Sequence, residues 1–131
     1  MGKESKIEEK LVKAVKKAGG LCLKLVSPGY VGVPDRLILI AFGMAGFVEV
    51  KAPNEKPRKI QMKRHRELRE LGFKTYVLDK EEDIPKIIEA IGGPIKRLNK
   101  YDWFLDGDRE IKGRIEFTED EDKEGGTIDA I

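Results

Sequence analysis

Hydrophobic and polar residues alternate along the first half of the chain with two different periods. Ser5 to Ala18 carries an apolar stripe at helical spacing, which predicts an amphipathic helix. Residues 21–26 alternate with a period of two, as a strand does, and two apolar runs follow at residues 37–42 and 47–50. Because a short Gly-containing connection joins these two runs, the pattern predicts a β-hairpin.

The second half of the chain continues with three further elements. The pattern predicts a helix over residues 59–71 that ends before Gly72, a strand over residues 73–78, and a short helix over residues 84–91. The predicted order is α-β-β-β-α-β-α, which is an α/β fold with a mixed β-sheet flanked by helices.

The middle helix has an apolar face that we expect to meet the core. Ile60, Leu68 and Leu71 fall on this face, and Gln61 lies at its border. Arg66 and Arg69 are expected to face away into solvent, and His65 to be partly buried or solvated. These assignments rest on helical spacing alone.

Asp35, Glu49 and Lys51 are the charged residues of the predicted hairpin. Glu49 and Lys51 share one face of their strand, since side chains alternate. A turn near Gly43 or Met44 would place Asp35 on the same face, so the three groups would converge. Two interpretations follow from spacing: a surface ion pair, or a site in which the carboxylates hold a divalent cation such as Mg²⁺.

Composition and charge describe one domain with a distinct tail. The chain has 131 residues, of which 40% are hydrophobic, and a single cysteine, Cys22, that we expect to be buried. Residues 106–131 carry ten acidic and four basic side chains, whereas residues 1–105 carry 22 basic and 14 acidic ones. The basic body fits a polyanionic partner. No signal peptide or membrane-spanning run is found, which predicts a cytoplasmic protein.

A longer ordered pattern links the hairpin to the helix after it. It runs Gly32-Val33-Pro34-Asp35-Arg36, then Phe47-Val48-Glu49-Val50-Lys51-Ala52-Pro53, then Gln61 and His65. This pattern resembles the VRR-NUC (virus-type replication-repair nuclease) domain of the PD-(D/E)xK superfamily, whose core is restriction-endonuclease-like. The resemblance covers roughly residues 4–91.

The resemblance implies a metal-dependent nuclease centre. Mg²⁺ or Mn²⁺ would be bound by Asp35, Glu49 and the Val50 carbonyl, while Lys51 and Gln61 would position the attacking hydroxide. The family also places a glutamate of the first helix at the site. The best-matching position is Glu8, which completes both the metal-binding set (Glu8, Asp35, Glu49, Val50) and the catalytic set (Glu8, Asp35, Glu49, Lys51, Gln61).

Glu8 has an alternative role that the sequence leaves open. Ser5-Lys6-Ile7-Glu8 is also a capping box, in which Glu8 would satisfy backbone groups at the helix start. If the helix begins earlier than Ser5, Glu4 becomes the candidate acid instead.

A basic segment beyond Lys51 is the predicted DNA-binding surface. Residues 51–74 contain nine basic and three acidic side chains, and a cationic loop leading into a helix N-terminus suits phosphate. In family members, the loop before the hairpin also lies beside the site, although Ser27 and Tyr30 could simply route the chain. The predicted DNA contacts are Lys24, Ser27, Arg36, Lys56, Arg58, Lys59, Lys63 and Arg64.

The sequence thus predicts a nuclease domain at residues 1–93 and an extension at residues 94–131, aromatic and then acidic and partly mobile. The resemblance implies a homodimeric DNA endonuclease, similar to Holliday junction resolvases, in a bacterial or phage-infected cell. Two rivals remain: a nuclease for flaps or ordinary duplex DNA, and a non-catalytic DNA-binding module. The acidic end is expected to be an inert solubilising tail rather than a nucleic-acid mimic.

Overall fold

A computed structural model describes residues 2–92 and confirms the predicted order of elements. The predicted extension at residues 94–131 lies outside the described residues. The helices and strands are α1 (Lys3–Lys17), β1 (Leu21–Lys24), β2 (Arg36–Ile40), β3 (Met44–Val50), α2 (Lys59–Glu70), β4 (Lys74–Leu78) and α3 (Ile84–Ile91). Within residues 2–92, no helix has the length and apolar character needed to cross a membrane.

The four strands form one mixed sheet in the order β1-β2-β3-β4. The β1–β2 and β2–β3 pairs are antiparallel, and β3 and β4 are parallel because α2 carries the chain across between them. This arrangement is the predicted α/β nuclease-like fold. It leaves β1 and β4 as the two edges of the sheet.

The main core lies on one face of the sheet. Val48 and Val50 of β3 pack with Tyr76 and Leu78 of β4, and all four side chains are fully buried. Helices α1 and α3 cover this face, and they contribute Ile7, Leu11, Val15, Ile84, Ile87, Ala90 and Ile91. The alternate residues of β3, including Glu49, therefore point to the opposite face, where α2 lies.

The β2–β3 hairpin turns one residue earlier than the sequence predicted. Paired residues run from Arg36 with Val48 to Ile40 with Met44, so the turn is centred on Phe42 and not on Gly43 or Met44. Phe42 has a φ of 67° and its side chain is almost fully exposed. One further step of this register places Asp35 opposite Glu49.

Helix α1 begins at Lys3, two residues earlier than predicted, with Gly2 as its N-cap residue. Glu8 therefore lies in the second turn, and the predicted capping box with Ser5 does not form. Cys22 also differs from expectation, since its thiol is only half-buried. Its place on edge strand β1 explains the exposure, and burial still raises the pKa of the thiol.

The buried face of α2 is polar, and the prediction for this helix was wrong. Its buried residues are Gln61, Met62, His65 and Arg69, whereas Leu71 is exposed and Ile60 and Leu68 are only half-buried. The Arg69 guanidinium, which was expected to face away, donates two hydrogen bonds to the Thr75 carbonyl at 3.1 and 2.6 Å. Sheet acceptors, rather than apolar spacing, decide which face of α2 is buried.

The loop before the hairpin is fastened to α2. The Tyr30 hydroxyl donates to Glu67 at 2.6 Å, and the Arg64 guanidinium stacks 3.8 Å from the Tyr30 ring centre while donating to the Val31 carbonyl at 2.8 Å. Gly32 has a φ of +100°, and a Cβ there would lie 2.9 Å from the Ile60 carbonyl oxygen. The glycine thus permits both the turn and the close approach to α2.

Candidate active site

Asp35 and Glu49 form a pair of carboxylates at the end of the hairpin. Asp35 accepts a hydrogen bond from the Val50 backbone N–H at 3.1 Å, which fixes its side chain against β3. Glu49 is only 4% exposed, and its two oxygens have different surroundings. The Lys51 ammonium lies 3.7 Å from Glu49 Oε2, so the structure brings Asp35, Glu49 and Lys51 together.

The proximity of the two carboxylates changes the protonation of Asp35. Burial, followed by the charge of Glu49, raises its pKa from 3.8 to about 7, while the hydrogen bond from the Val50 N–H acts in the opposite direction. Two negative charges in a poorly solvated place repel one another unless a cation neutralises them. Near neutral pH, Asp35 is therefore partly protonated when no cation is bound.

Helix α2 orients Glu49 through Gln61. The Gln61 amide donates from Nε2 to Glu49 Oε2 at 2.9 Å and accepts at Oε1 from the Arg58 backbone N–H at 2.8 Å. Both ends of the amide are therefore used, which fixes its orientation. Gln61 connects the start of α2 to the carboxylate pair.

His65 lies one turn beyond Gln61 and is completely buried. Its Nε2 is 3.9 Å from Glu49 Oε1, beyond hydrogen-bond distance. Neither imidazole nitrogen has a hydrogen-bond partner among the described residues, and Glu49 Oε1 lacks one as well. The sequence did not indicate that this histidine would be buried behind Glu49.

Helix α1 brings two acids to the edge of the pair. Glu8 is held by the Arg36 guanidinium, with distances of 2.9 Å from Nε and 2.8 Å from Nη2 to Glu8 Oε2. Glu4 lies one turn earlier. Burial raises its pKa first, followed by the charge of Glu55, with Lys51 acting in the opposite direction. Glu4 is thus within electrostatic reach of Lys51, and Glu8 is bound to Arg36.

The predicted DNA contacts fall into two groups in the structure. Arg36 is bound to Glu8, and Arg64 is engaged with Tyr30, Val31 and Glu67. Ser27 is half-buried in the loop that Arg64 fastens. The remaining side chains are exposed, and they are Lys24, Lys56, Arg58, Lys59 and Lys63. Four of these five lie at the start of α2 or just before it.

The carboxylate pair fits a hard divalent cation. Glu49 Oε1 is a buried acceptor without a donor among the described residues, and burial together with the charge of Glu49 raises the pKa of Asp35. Within residues 2–92, no group of three or more His, Cys, Asp or Glu side chains forms a metal site. Two carboxylates with a backbone carbonyl, water and substrate phosphate are, however, what Mg²⁺ commonly takes.

We expect Gln61→Leu to lower the affinity for Mn²⁺ by about 10- to 100-fold, because Glu49 would lose the donor that orients it. Isothermal titration calorimetry measures this affinity directly. Glu70→Gln, at the exposed end of the same helix, serves as the control and should bind Mn²⁺ like the wild type. Equal affinities for all three proteins would show that Gln61 does not orient a metal ligand.

Comparison with known proteins finds relatives of this chain both by sequence and by structure. A protein of Acyrthosiphon pisum secondary endosymbiont phage 1, named "Putative nuclease p44", is 46% identical over 89 residues, which are 68% of this chain and 95% of the phage protein. A solved structure described as "VRR_NUC domain" is 32% identical with a TM-score of 0.64, covering 68% of this chain and 97% of that one. No family model matches the sequence. Sequence and fold together show that the chain belongs to the VRR-NUC domain family.

Proposed function

We propose that this protein is a metal-dependent DNA endonuclease that hydrolyses phosphodiester bonds. The observation that carries the proposal is the Asp35–Glu49 pair, buried beside the Lys51 ammonium. Such a cluster is costly to maintain in a small fold unless it serves chemistry. Membership of a nuclease-domain family supports the same conclusion.

Asp35, Glu49 and the Val50 carbonyl would hold the cation, with Glu8 completing the site directly or through water. Mg²⁺ or Mn²⁺ would supply Lewis-acid stabilisation of the charge on the scissile phosphate. Glu4 is a second acid within reach of this centre. The protein contributes the fixed geometry, because Gln61 and the Val50 N–H restrain one carboxylate each.

Lys51 and Gln61 would position the attacking water in line with the leaving 3′ oxygen. The Lys51 side chain is mostly shielded from solvent, so its charge would act strongly on a nearby phosphate oxygen. The products would be a 5′-phosphate and a 3′-hydroxyl. The exposed basic side chains before and along α2 would hold the DNA backbone.

We further propose that the preferred substrate is branched DNA, with a four-way junction as the first candidate. Symmetric nicks in a junction need two active sites related by a two-fold axis, and hence a homodimer. Edge strand β1 exposes Leu21 and Leu23, which gives a second copy an apolar surface to cover. The phage relative supports action in the cytoplasm of a bacterial or phage-infected cell.

A panel of labelled substrates tests this preference. We expect four-way junctions to be nicked symmetrically in Mg²⁺ or Mn²⁺, faster than flaps, linear duplex or single strands, and not at all in EDTA. Denaturing electrophoresis maps the cuts, and light scattering gives the mass of the protein in the same buffer.

Metal-dependent cleavage without junction preference would retain the nuclease and remove the resolvase-like assignment. A folded, metal-loaded protein that binds DNA but cleaves none of these substrates would be a DNA-binding module instead.

A further inference from the structure

A cavity of about 450 Å³ lies beside the proposed centre and has no role in the mechanism above. Its walls come from the start of α1, from residues 53–54 after β3, and from residues 79–82 after β4. Strands β3 and β4 are parallel neighbours, so the cavity lies outside their carboxyl ends. This is where open α/β sheets usually bind ligands, and the volume suits a small organic group.

Asp79 is an unusual residue in this wall. It is only 2% exposed, and its Oδ1 is buried without a hydrogen-bond partner among the described residues. A buried carboxylate oxygen without a donor is costly, so a ligand that supplies N–H groups would be favoured there. A metal ion is a poor candidate, because Asp79 is the one buried carboxylate among the described residues that line the cavity, and the lysines of the same wall repel a cation.

Three lysines surround the same cavity. Lys3, Lys6 and Lys80 are exposed and form no ion pair with the described residues. Glu81, on the same wall, is neutralised by Lys10 at 2.9 Å. The cavity therefore combines a buried acceptor with cationic groups at its opening, and the N-terminus of α1 adds further positive potential.

The cavity is directly next to Lys51. The Lys51 backbone N–H donates to the Leu78 carbonyl at 2.9 Å, and Asp79 directly follows Leu78, the last residue of β4. In the parallel register, Lys51 and Asp79 are thus adjacent positions. A group bound in the cavity would be a near neighbour of the phosphate at the proposed centre.

We propose that this cavity binds one unpaired nucleotide of the substrate strand, with the base against Asp79 and phosphate oxygens on Lys3, Lys6 and Lys80. This inference rests on the proposed nuclease function and extends it to the substrate. Asp79 accepts from base N–H groups, so bases with an amino group bind better than thymine, whose single N–H lies between two carbonyl oxygens. Guanine, with adjacent N1–H and amino donors, binds best.

The proposal gives a physical reason for branch selectivity. A base inside a duplex has its donors paired and cannot reach Asp79, whereas flaps, and branch points whose base pairs open, offer unpaired nucleotides. The full-length protein should therefore prefer DNA with an unpaired guanine next to the cleaved bond over fully paired DNA of the same length.

Fluorescence anisotropy in EDTA tests this without cleavage. The probes are labelled duplexes that carry one unpaired G, C, A or T at the same position, together with the fully paired duplex. For the wild type we expect about tenfold tighter binding with unpaired G than with unpaired T. Equal affinities for the four bases would overturn the proposal, since they would mean that only water occupies the site of Asp79.

Two variants sharpen the result. Asp79→Asn replaces one acceptor by a donor, so the G-to-T ratio should fall to near one, whereas Glu82→Gln changes the same charge on the same wall and should keep the ratio. Lys3→Gln with Lys6→Gln should weaken binding of all four probes equally and reduce its salt dependence. An unchanged ratio in Asp79→Asn would also overturn the proposal.

Cleavage of the same probes in Mg²⁺ tests the nuclease function separately from nucleotide binding in the cavity. Cleavage without any base preference in binding would remove the nucleotide cavity and keep the nuclease. A base preference that Asp79→Asn abolishes, without cleavage in any metal, would keep the cavity and remove the nuclease.

Discussion

Lys51→Ala should reduce DNA cleavage by about 100- to 1000-fold, which is the usual effect of removing one fixed group that stabilises charge in a transition state. The Lys51 side chain is only 12% exposed, and its ammonium lies 3.7 Å from Glu49 Oε2, so water has little room to take over its charge in the variant. DNA affinity should change little, because the exposed basic residues around the start of α2 carry most of the proposed backbone contacts.

Single-turnover cleavage and anisotropy in EDTA measure the two effects of Lys51→Ala separately. Lys86→Ala is the matched control, since Lys86 is exposed on α3 and pairs with Asp83, three residues earlier in the chain. Cleavage by Lys51→Ala at the wild-type rate would exclude Lys51 from the active site.

Asp35→Asn should stabilise the metal-free protein above neutral pH and should weaken the binding of the metal ion. In the metal-free protein the pKa of Asp35 is raised from 3.8 to about 7, so the folded state holds this proton more tightly than the unfolded chain. The resulting stability is complete below about pH 4 and is lost as the pH rises through about 7. At about 1.4 kcal/mol per unit, the loss amounts to at most about 4 kcal/mol.

Urea unfolding in EDTA at pH 5 and pH 8 measures this effect. The free energy of unfolding of the wild type should be lower at pH 8, and Asp35→Asn should remove most of that difference. Mn²⁺ should restore stability to the wild type at pH 8 and not to Asp35→Asn. Glu9→Gln, on the exposed side of α1, should behave like the wild type. The same pH dependence in Asp35→Asn would show that Asp35 does not titrate as described.

The hairpin was predictable because its physics is local. Two apolar runs and a short connection fix the strands, and the period of two then determines which side chains share a face. The turn was predicted at Gly43 or Met44 and is centred on Phe42 in the structure, yet Asp35 and Glu49 still lie opposite each other. The place of Lys51 beside the carboxylates followed from the same spacing, whereas the role of Gln61 came from the resemblance to a family.

The α2 face was not predictable from its own residues. Apolar spacing favoured Ile60, Leu68 and Leu71, but the sheet beneath offers the Glu49 carboxylate and the Thr75 carbonyl. Gln61 and Arg69 satisfy these acceptors and are therefore buried, a tertiary effect that no helical pattern contains.

Neither the position of Glu4 nor the burial of Asp79 in the cavity wall could be predicted from the sequence alone. Glu4 approaches Lys51 only because the helix begins at Lys3, and its N-cap, Gly2, makes no side-chain cap that the sequence could have signalled. Asp79 follows a strand in a charged segment of the sequence, 79–83, where most such residues are solvated. Its burial becomes visible only once α1 and the loop after β3 are in place.

Nicking of a covalently closed circular DNA tests the central claim most directly, because a circle without ends can be opened only by an endonuclease. The Asp35–Glu49–Lys51 centre predicts that the wild type nicks the circle in Mg²⁺ or Mn²⁺, that EDTA stops the reaction, and that Asp35→Asn and Lys51→Ala fail to nick while Lys86→Ala nicks normally. Nicking that persists in EDTA, or that survives in both Asp35→Asn and Lys51→Ala, would contradict the account.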